Sequence, residues 1–177
     1  TRTSPDPVKV EVTAYGEVKV NFGFKSGGYT TPPPPPSGDA LCYLVADNDG
    51  SGYGSADVLT RLNEGAYQDV VIGGTHTEMI EAIAFNPWNK KLYASDARSL
   101  GTLDLYSGKY TKIGEYGGGE GEDGWLSFLD VDGLTFDPYS ETLFGSVRRT
   151  GERDLLIQID AATGSAVKDA FGYGIDY

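Results

Sequence analysis

Apolar residues in this chain fall mostly at alternate positions, in short runs broken by Gly, Pro, Asn and Asp. A period of two puts one side of a β-strand on a core and the other in water. Val8, Val10 and Val12 alternate with Lys9 and Glu11. Tyr15-Gly16-Glu17 supplies a turn, and Val18, Val20 and Phe22 alternate with Lys19 and Asn21 before Gly23-Phe24. Further strands are predicted near 41–46, 57–63 and 67–73, then near 80–86, 91–95, 101–106 and 109–116. A last set is predicted near 131–136, 142–148, 154–160 and 165–173. Runs that favour helices are almost absent, so the pattern predicts an all-β chain.

The later runs repeat. Ile83-Ala84-Phe85-Asn86-Pro87 returns 51 positions on as Leu134-Thr135-Phe136-Asp137-Pro138, and Leu92-Tyr93 returns at the same spacing as Leu143-Phe144. Each copy continues into an alternating run that ends in a glycine turn: Leu103 to Gly108, and Ile157 to Gly164. Leu59-Thr60-Arg61-Leu62-Asn63-Glu64-Gly65 is a third match to that run. Short strands repeating at this interval predict a propeller-like array of about three four-stranded units, near 41–78, 79–129 and 130–177. The first unit lacks an opening strand, because a proline run occupies its place. Closed propellers carry about four to eight blades. Three units therefore imply a fragment, an open array, or copies that complete one another by strand addition.

Residues 1–25 form a strand segment too small to be stable alone. Residues 26–40 form a linker containing Gly27-Gly28 and the uninterrupted Pro32 to Pro36, an extended polyproline tether. The alternating residues Val8, Val10, Val12, Val18, Val20, Phe22 and Phe24 are the candidate self-assembly set, a donor strand for another copy. A head-to-tail contact that does not close makes a filament.

Two resemblances accompany these motifs. Glu17-Val18-Lys19-Val20-Asn21-Phe22-Gly23-Phe24-Lys25 resembles the last strand of the immunoglobulin-like B-type repeats of bacterial serine-aspartate-repeat adhesins. The apolar-Ala-Phe-Asn-Pro, Leu-Tyr and Thr-Gly turn pattern resembles blades of bacterial extracellular propellers, over roughly three quarters of the chain. Both imply a cell-surface or secreted location. Neither implies a chemistry, since propellers host many functions.

Composition narrows the classes. Gly occurs 25 times, Tyr 12 and Pro 9, a mixture suited to strands joined by tight turns. A net charge of −12 repels phosphate backbones and argues against nucleic acid as a partner. No apolar run approaches the ~20 residues that span a bilayer as a helix. Cys42 stands alone, so no intrachain disulfide is expected. Thr1 fits a processed terminus of a secreted protein, and equally a fragment edge.

Calcium is the one cofactor the sequence suggests. Asp47, Asp49, Ser51, Tyr53, Ser55 and Asp57 offer oxygens at alternate places, with Gly52 at the sixth position of a calcium loop. Val58 replaces the usual bidentate Glu, and a plain Gly/Asp/Ser turn explains the same residues. Glu120, Glu122 and Asp123, with Asp130 and Asp132, form a second acidic set in and after the Gly117–Gly124 insert. A solvated loop is the competing explanation there. His76, the single histidine, cannot build a multi-histidine zinc site. Glu78, Glu81, Asp96 and Asp132 are acidic, but nothing selects a pair of them for glycoside hydrolysis. Arg148-Arg149-Thr150-Gly151-Glu152-Arg153 is the one basic run. Its partner is expected to be water or an acidic patch on a neighbouring copy.

The sequence thus points to a non-enzymatic extracellular structural or adhesive protein. Its expected partners are copies of itself, and glycans or other surface proteins. A glycan- or peptide-binding propeller fragment of a large adhesin is the alternative, and a secreted hydrolase the third.

Overall fold

The computed structural model describes residues 41–46, 57–63 and 68–177. The strand segment 1–25, the linker and the loop positions Asp47, Asp49, Ser51, Tyr53 and Ser55 lie outside the described residues. Within them the fold is all-β, with several small antiparallel sheets. No helix there is long and apolar enough to cross a membrane.

Strands β1 (Leu41–Ala46), β2 (Val58–Asn63) and β3 (Gln68–Gly74) form the first sheet, in that order. β4 (Ile80–Asn86), β5 (Lys91–Asp96), β6 (Ser99–Leu103) and β7 (Tyr110–Glu115) form the second. β8 (Gly118–Gly119) and β9 (Leu126–Ser127) make a small hairpin, and β10 (Val131–Phe136), β11 (Leu143–Val147) and β12 (Leu155–Ile159) form the third sheet.

The pairing keeps the 51-residue echo over the first two strands of the second and third sheets, and their third strands correspond at 56 residues. Ala84, Tyr93 and Thr102 lie across from one another in the second sheet, and Thr135, Phe144 and Gln158 do so in the third. Both first strands carry a register shift near their start, at Ile80/Ala82 and Val131/Gly133. The turns match as well. Asn86 Oδ1 accepts the Trp88 N–H at 2.8 Å, and Asp137 Oδ1 accepts the Tyr139 N–H at 3.1 Å. Each turn closes on a left-handed residue, Lys90 (φ 61°) and Glu141 (φ 57°).

Sheets pack face to face. Leu59, Leu92, Ala94 and Leu103 are buried between the first and second sheets, with Tyr43, Val45 and Ile72 packed against them. Tyr93 and Leu100 of the second sheet meet Phe136, Leu143, Ile157 and Ile159 of the third. The Tyr93 and Phe136 rings contact edge on, with centroids 5.2 Å apart. Strands β4 and β10 run close together. Ser95 Oγ donates to the Val131 carbonyl at 2.7 Å, and Val131 N–H donates to the Ala97 carbonyl at 2.8 Å.

Two expectations differ from the structure. The predicted strand at 165–173 is absent: after one bridge, Ile159 to Ala166, the chain turns away. Asp169 (φ 55°), Gly172 (φ 137°) and Gly174 (φ 74°) sit in left-handed backbone, which an extended strand cannot include. The insert after β7, expected to be a loop, holds the β8–β9 hairpin.

Candidate functional site

The surfaces that matter are those where one sheet meets another, and they are built from a turn that recurs. Asp104 Oδ1 accepts N–H groups from Tyr106 and Ser107 and the Ser107 hydroxyl, at 3.0, 2.7 and 2.9 Å. These donors, the Ser107 hydroxyl first, hold the Asp104 carboxyl below the usual carboxylate range. Asp160 does the same with the Ala162 N–H at 2.8 Å, and its carboxyl is lowered mainly by that bond. Both turns end on a left-handed glycine, Gly108 (φ 78°) and Gly164 (φ 81°).

Each turn then sits on a glycine of the preceding sheet. A Cβ on Gly73 would lie 2.1 Å from the Ser107 carbonyl oxygen, and one on Gly114 would lie 2.0 Å from that of Thr163. Two residues further on, Thr75 and Tyr116 use their carbonyls alike. Thr75 O accepts from Tyr110 N–H, and Tyr116 O from Ala166 N–H, both at 3.0 Å. The spacing is 41 residues in both pairs, Gly73 to Gly114 and Thr75 to Tyr116. One glycine-on-turn contact therefore joins the first sheet to the second, and again the second to the third. The turns are legible in the sequence, whereas the glycines that receive them are not. The signal available was the recurrence of Gly73 and Gly114 near the end of each unit.

The second acidic set is answered by the basic run. Arg148 Nε lies 3.0 Å from Asp130 Oδ2 and 3.9 Å from Asp132, while Ser146 Oγ donates to Asp132 at 2.9 Å. Arg149 Nη1 meets Asp123 at 2.8 Å, and the Arg153 guanidinium lies 3.6 Å from Glu122. These pairs are wholly or partly exposed, so each contributes little to stability. They join the 148–153 hairpin to the insert and to the start of β10 within one chain, where water or an acidic patch on a neighbouring copy was expected. Glu120 lies apart, on the clasp described below. Among the described residues no three acidic or ligating side chains converge to hold a metal ion. Asp57, the one described member of the first calcium set, is buried, and its Oδ2 accepts the Ile80 N–H at 2.9 Å. His76 is exposed, in left-handed backbone, in the loop after β3.

A clasp at the C-terminal end went unseen in the sequence. Asp176 is buried, and its two oxygens accept N–H groups of Glu120 at 2.8 Å and Asp169 at 2.6 Å. The Asp176 N–H in turn donates to the Glu120 carbonyl at 2.7 Å. Tyr177 packs edge on against Phe128, centroids 6.0 Å apart. The Asp169 N–H, followed by that of Glu120, holds the Asp176 carboxyl below its ordinary value of 3.8. A depressed folded-state pKa adds stability that is full above the ordinary aspartate value and is lost as pH falls through the folded one. Acidification below about pH 4 is therefore expected to release the tail from the insert, seen as faster exchange of the Glu120 and Asp169 amides. Asp176→Asn removes one acceptor and is expected to cost about 1–3 kcal/mol in a denaturation curve.

Tyr116 is also buried; its hydroxyl neighbours Ser95 but makes no well-aligned hydrogen bond, the Ser95 hydroxyl being given to the Val131 carbonyl. Burial pushes that phenol above its ordinary range. Tyr116→Phe removes an unsatisfied polar atom, so it is expected to be neutral or to raise stability by about 1 kcal/mol in the same assay. The Tyr110 phenol, pushed up to about 12 by burial, is satisfied: it donates to the Ser99 carbonyl at 3.1 Å.

A small cavity of about 200 Å³ opens beside β12, lined in part by Glu122, Arg153, Leu156 and Tyr177. No family model matches this chain, and no curated protein matches it.

Proposed function

We propose that this chain is a non-enzymatic structural module of an extracellular surface. In this reading its sheets are blades of a propeller-type array, and copies assemble into a larger structure. The observation that carries the reading is the glycine-on-turn contact, used twice with a strand glycine seating the carbonyl that precedes a left-handed turn glycine. A contact that repeats along a chain suits continuation into further copies. The sequence supplies a donor for that continuation in the Val8 to Phe24 segment on its proline tether. β1 is the outer strand of the first sheet as described, and strand addition acts at such a position.

Light scattering on the full chain and on a chain lacking residues 1–30 tests the strand exchange. Assembly of the full chain and a monomeric deletion is the expected result. Equal assembly by both removes the donor-strand reading.

Calcium belongs to the same proposal, held by the Asp47 to Asp57 loop, where ligation would relieve repulsion between carboxylates. EDTA is expected to lower the melting temperature and added calcium to restore it. An unchanged melt removes the metal.

A further inference from the structure

The two faces of each sheet have different jobs, and among the described residues one face of the third sheet is covered by no other sheet. In the second sheet, Tyr93, Ser95 and Leu100 lie on the face turned toward the third, and their relative exposures are 5%, 0% and 0%. The pairing register fixes their counterparts. Leu100 lies opposite Ser95, and Leu156 lies opposite Ser146, 51 residues on from Ser95. Phe144 is the counterpart of Tyr93 by the same spacing. Leu156 is 53% exposed where Leu100 is fully covered, though the two are the same residue at the same place. Thr135, the counterpart of buried Ala84, is exposed, and Phe144 is half-buried. Ser95 sends its hydroxyl to a carbonyl of the next sheet, whereas Ser146 sends its own back to Asp132 in the same sheet.

The opposite face shows the reciprocal gap. Leu92 and Leu103, and then Leu143 and Ile159, are buried at 1–3% against the preceding sheet. In the first sheet Leu59, Tyr43 and Val45 point toward the second. Alternation therefore turns Cys42, Leu44 and Leu62 the other way. Leu44 and Leu62 are half-buried and Cys42 is exposed.

We infer that the uncovered face of the third sheet, centred on Leu156 and Phe144, is a docking surface for the first sheet of a second copy. The contact would continue the face-to-face packing already made twice within the chain, so the established interfaces define both halves of the new one. Leu44 and Leu62 of the incoming copy supply the apolar side. Head-to-tail use of two different faces yields a ring or a filament, according to the rotation at each step. The inference rests on the self-assembly proposed above but uses a surface independent of residues 1–30. Each chain carries a net charge of −12, so copies repel at long range and added salt should promote the contact.

The test is sedimentation velocity on the full chain, at low and moderate salt, with Leu156→Glu as the variant. A half-exposed site tolerates glutamate, and an unchanged far-UV spectrum and melt establish that the variant folds. Burying that charge in an apolar interface is expected to weaken association at least about tenfold. Tyr173→Glu, at a tail residue 98% exposed, is the control and should assemble like the parent. Parent-like assembly of Leu156→Glu overturns the docking face. A parent that stays monomeric at every salt overturns both this inference and the assembly reading. The chain lacking residues 1–30 separates the two ideas. If it assembles while Leu156→Glu does not, the face is the interface and the donor strand fails. The reverse result retains the strand and removes the face.

Discussion

Alanine at Gly114 is expected to cost about 1–3 kcal/mol or more, far beyond what its position in a strand suggests. Glycine in a strand interior is ordinarily a weakness, and a side chain there usually helps. The Gly114 backbone is not left-handed, so alanine meets no dihedral penalty. The entire cost is steric, since the new methyl would fall 2.0 Å from the Thr163 carbonyl oxygen, on the backbone of the next sheet. Backbone cannot swing aside as a flexible side chain can, so the second and third sheets must separate or the turn must deform. Gly73→Ala should behave alike, against the Ser107 carbonyl at 2.1 Å. Gly151→Ala is the informative contrast. That glycine is left-handed (φ 80°) with nothing near its missing Cβ, so its replacement costs only the strain of the turn, about 1 kcal/mol. Urea denaturation of the three variants should rank Gly114 and Gly73 well above Gly151.

The second large effect is a difference between two identical substitutions. Leu100→Ala should cost about 2–5 kcal/mol, because the residue is fully buried between two sheets and its removal leaves a cavity. Leu156→Ala should cost less than about 1 kcal/mol in the monomer, since half of that side chain already meets water. Both leucines hold the same place in the repeat, so composition and strand propensity cancel in the comparison. What remains is the presence or absence of a covering sheet. Near-equal costs for the two would contradict the assignment of faces.

The alternating pattern made most of the fold legible. The 51-residue echo placed β4, β5, β10 and β11 correctly, because each has one buried face and a polar turn whose Asn or Asp side chain binds its own backbone. The outer part of the third unit was not legible. Residues 165–173 carry some alternation, but Asp169 and Gly172 adopt left-handed backbone, and Asp176 draws the tail onto the insert. That tie links residues 56 apart in the sequence, so no local signal announces it. The Gly117–Gly124 insert lacks apolar periodicity for the same reason: its hairpin is held by Phe128, Asp176 and Tyr177 from outside. The acidic set in and after it suggested a cation because its members are close in sequence. In three dimensions, arginines of the 148–153 hairpin stand beside four of the five. The glycine-on-turn contact was half visible, since a turn announces itself by its residues whereas its seat is defined only by packing.

Successive sheets are thus joined by one repeated contact. Native-state hydrogen exchange reads it directly at Tyr110 and Ala166, whose amides donate across from one unit to another. Protection of both at the level of global unfolding is the predicted result. Exchange at these amides as fast as at the open Gly151 loop, with strand-internal amides still protected, would show separate sheets and contradict the account.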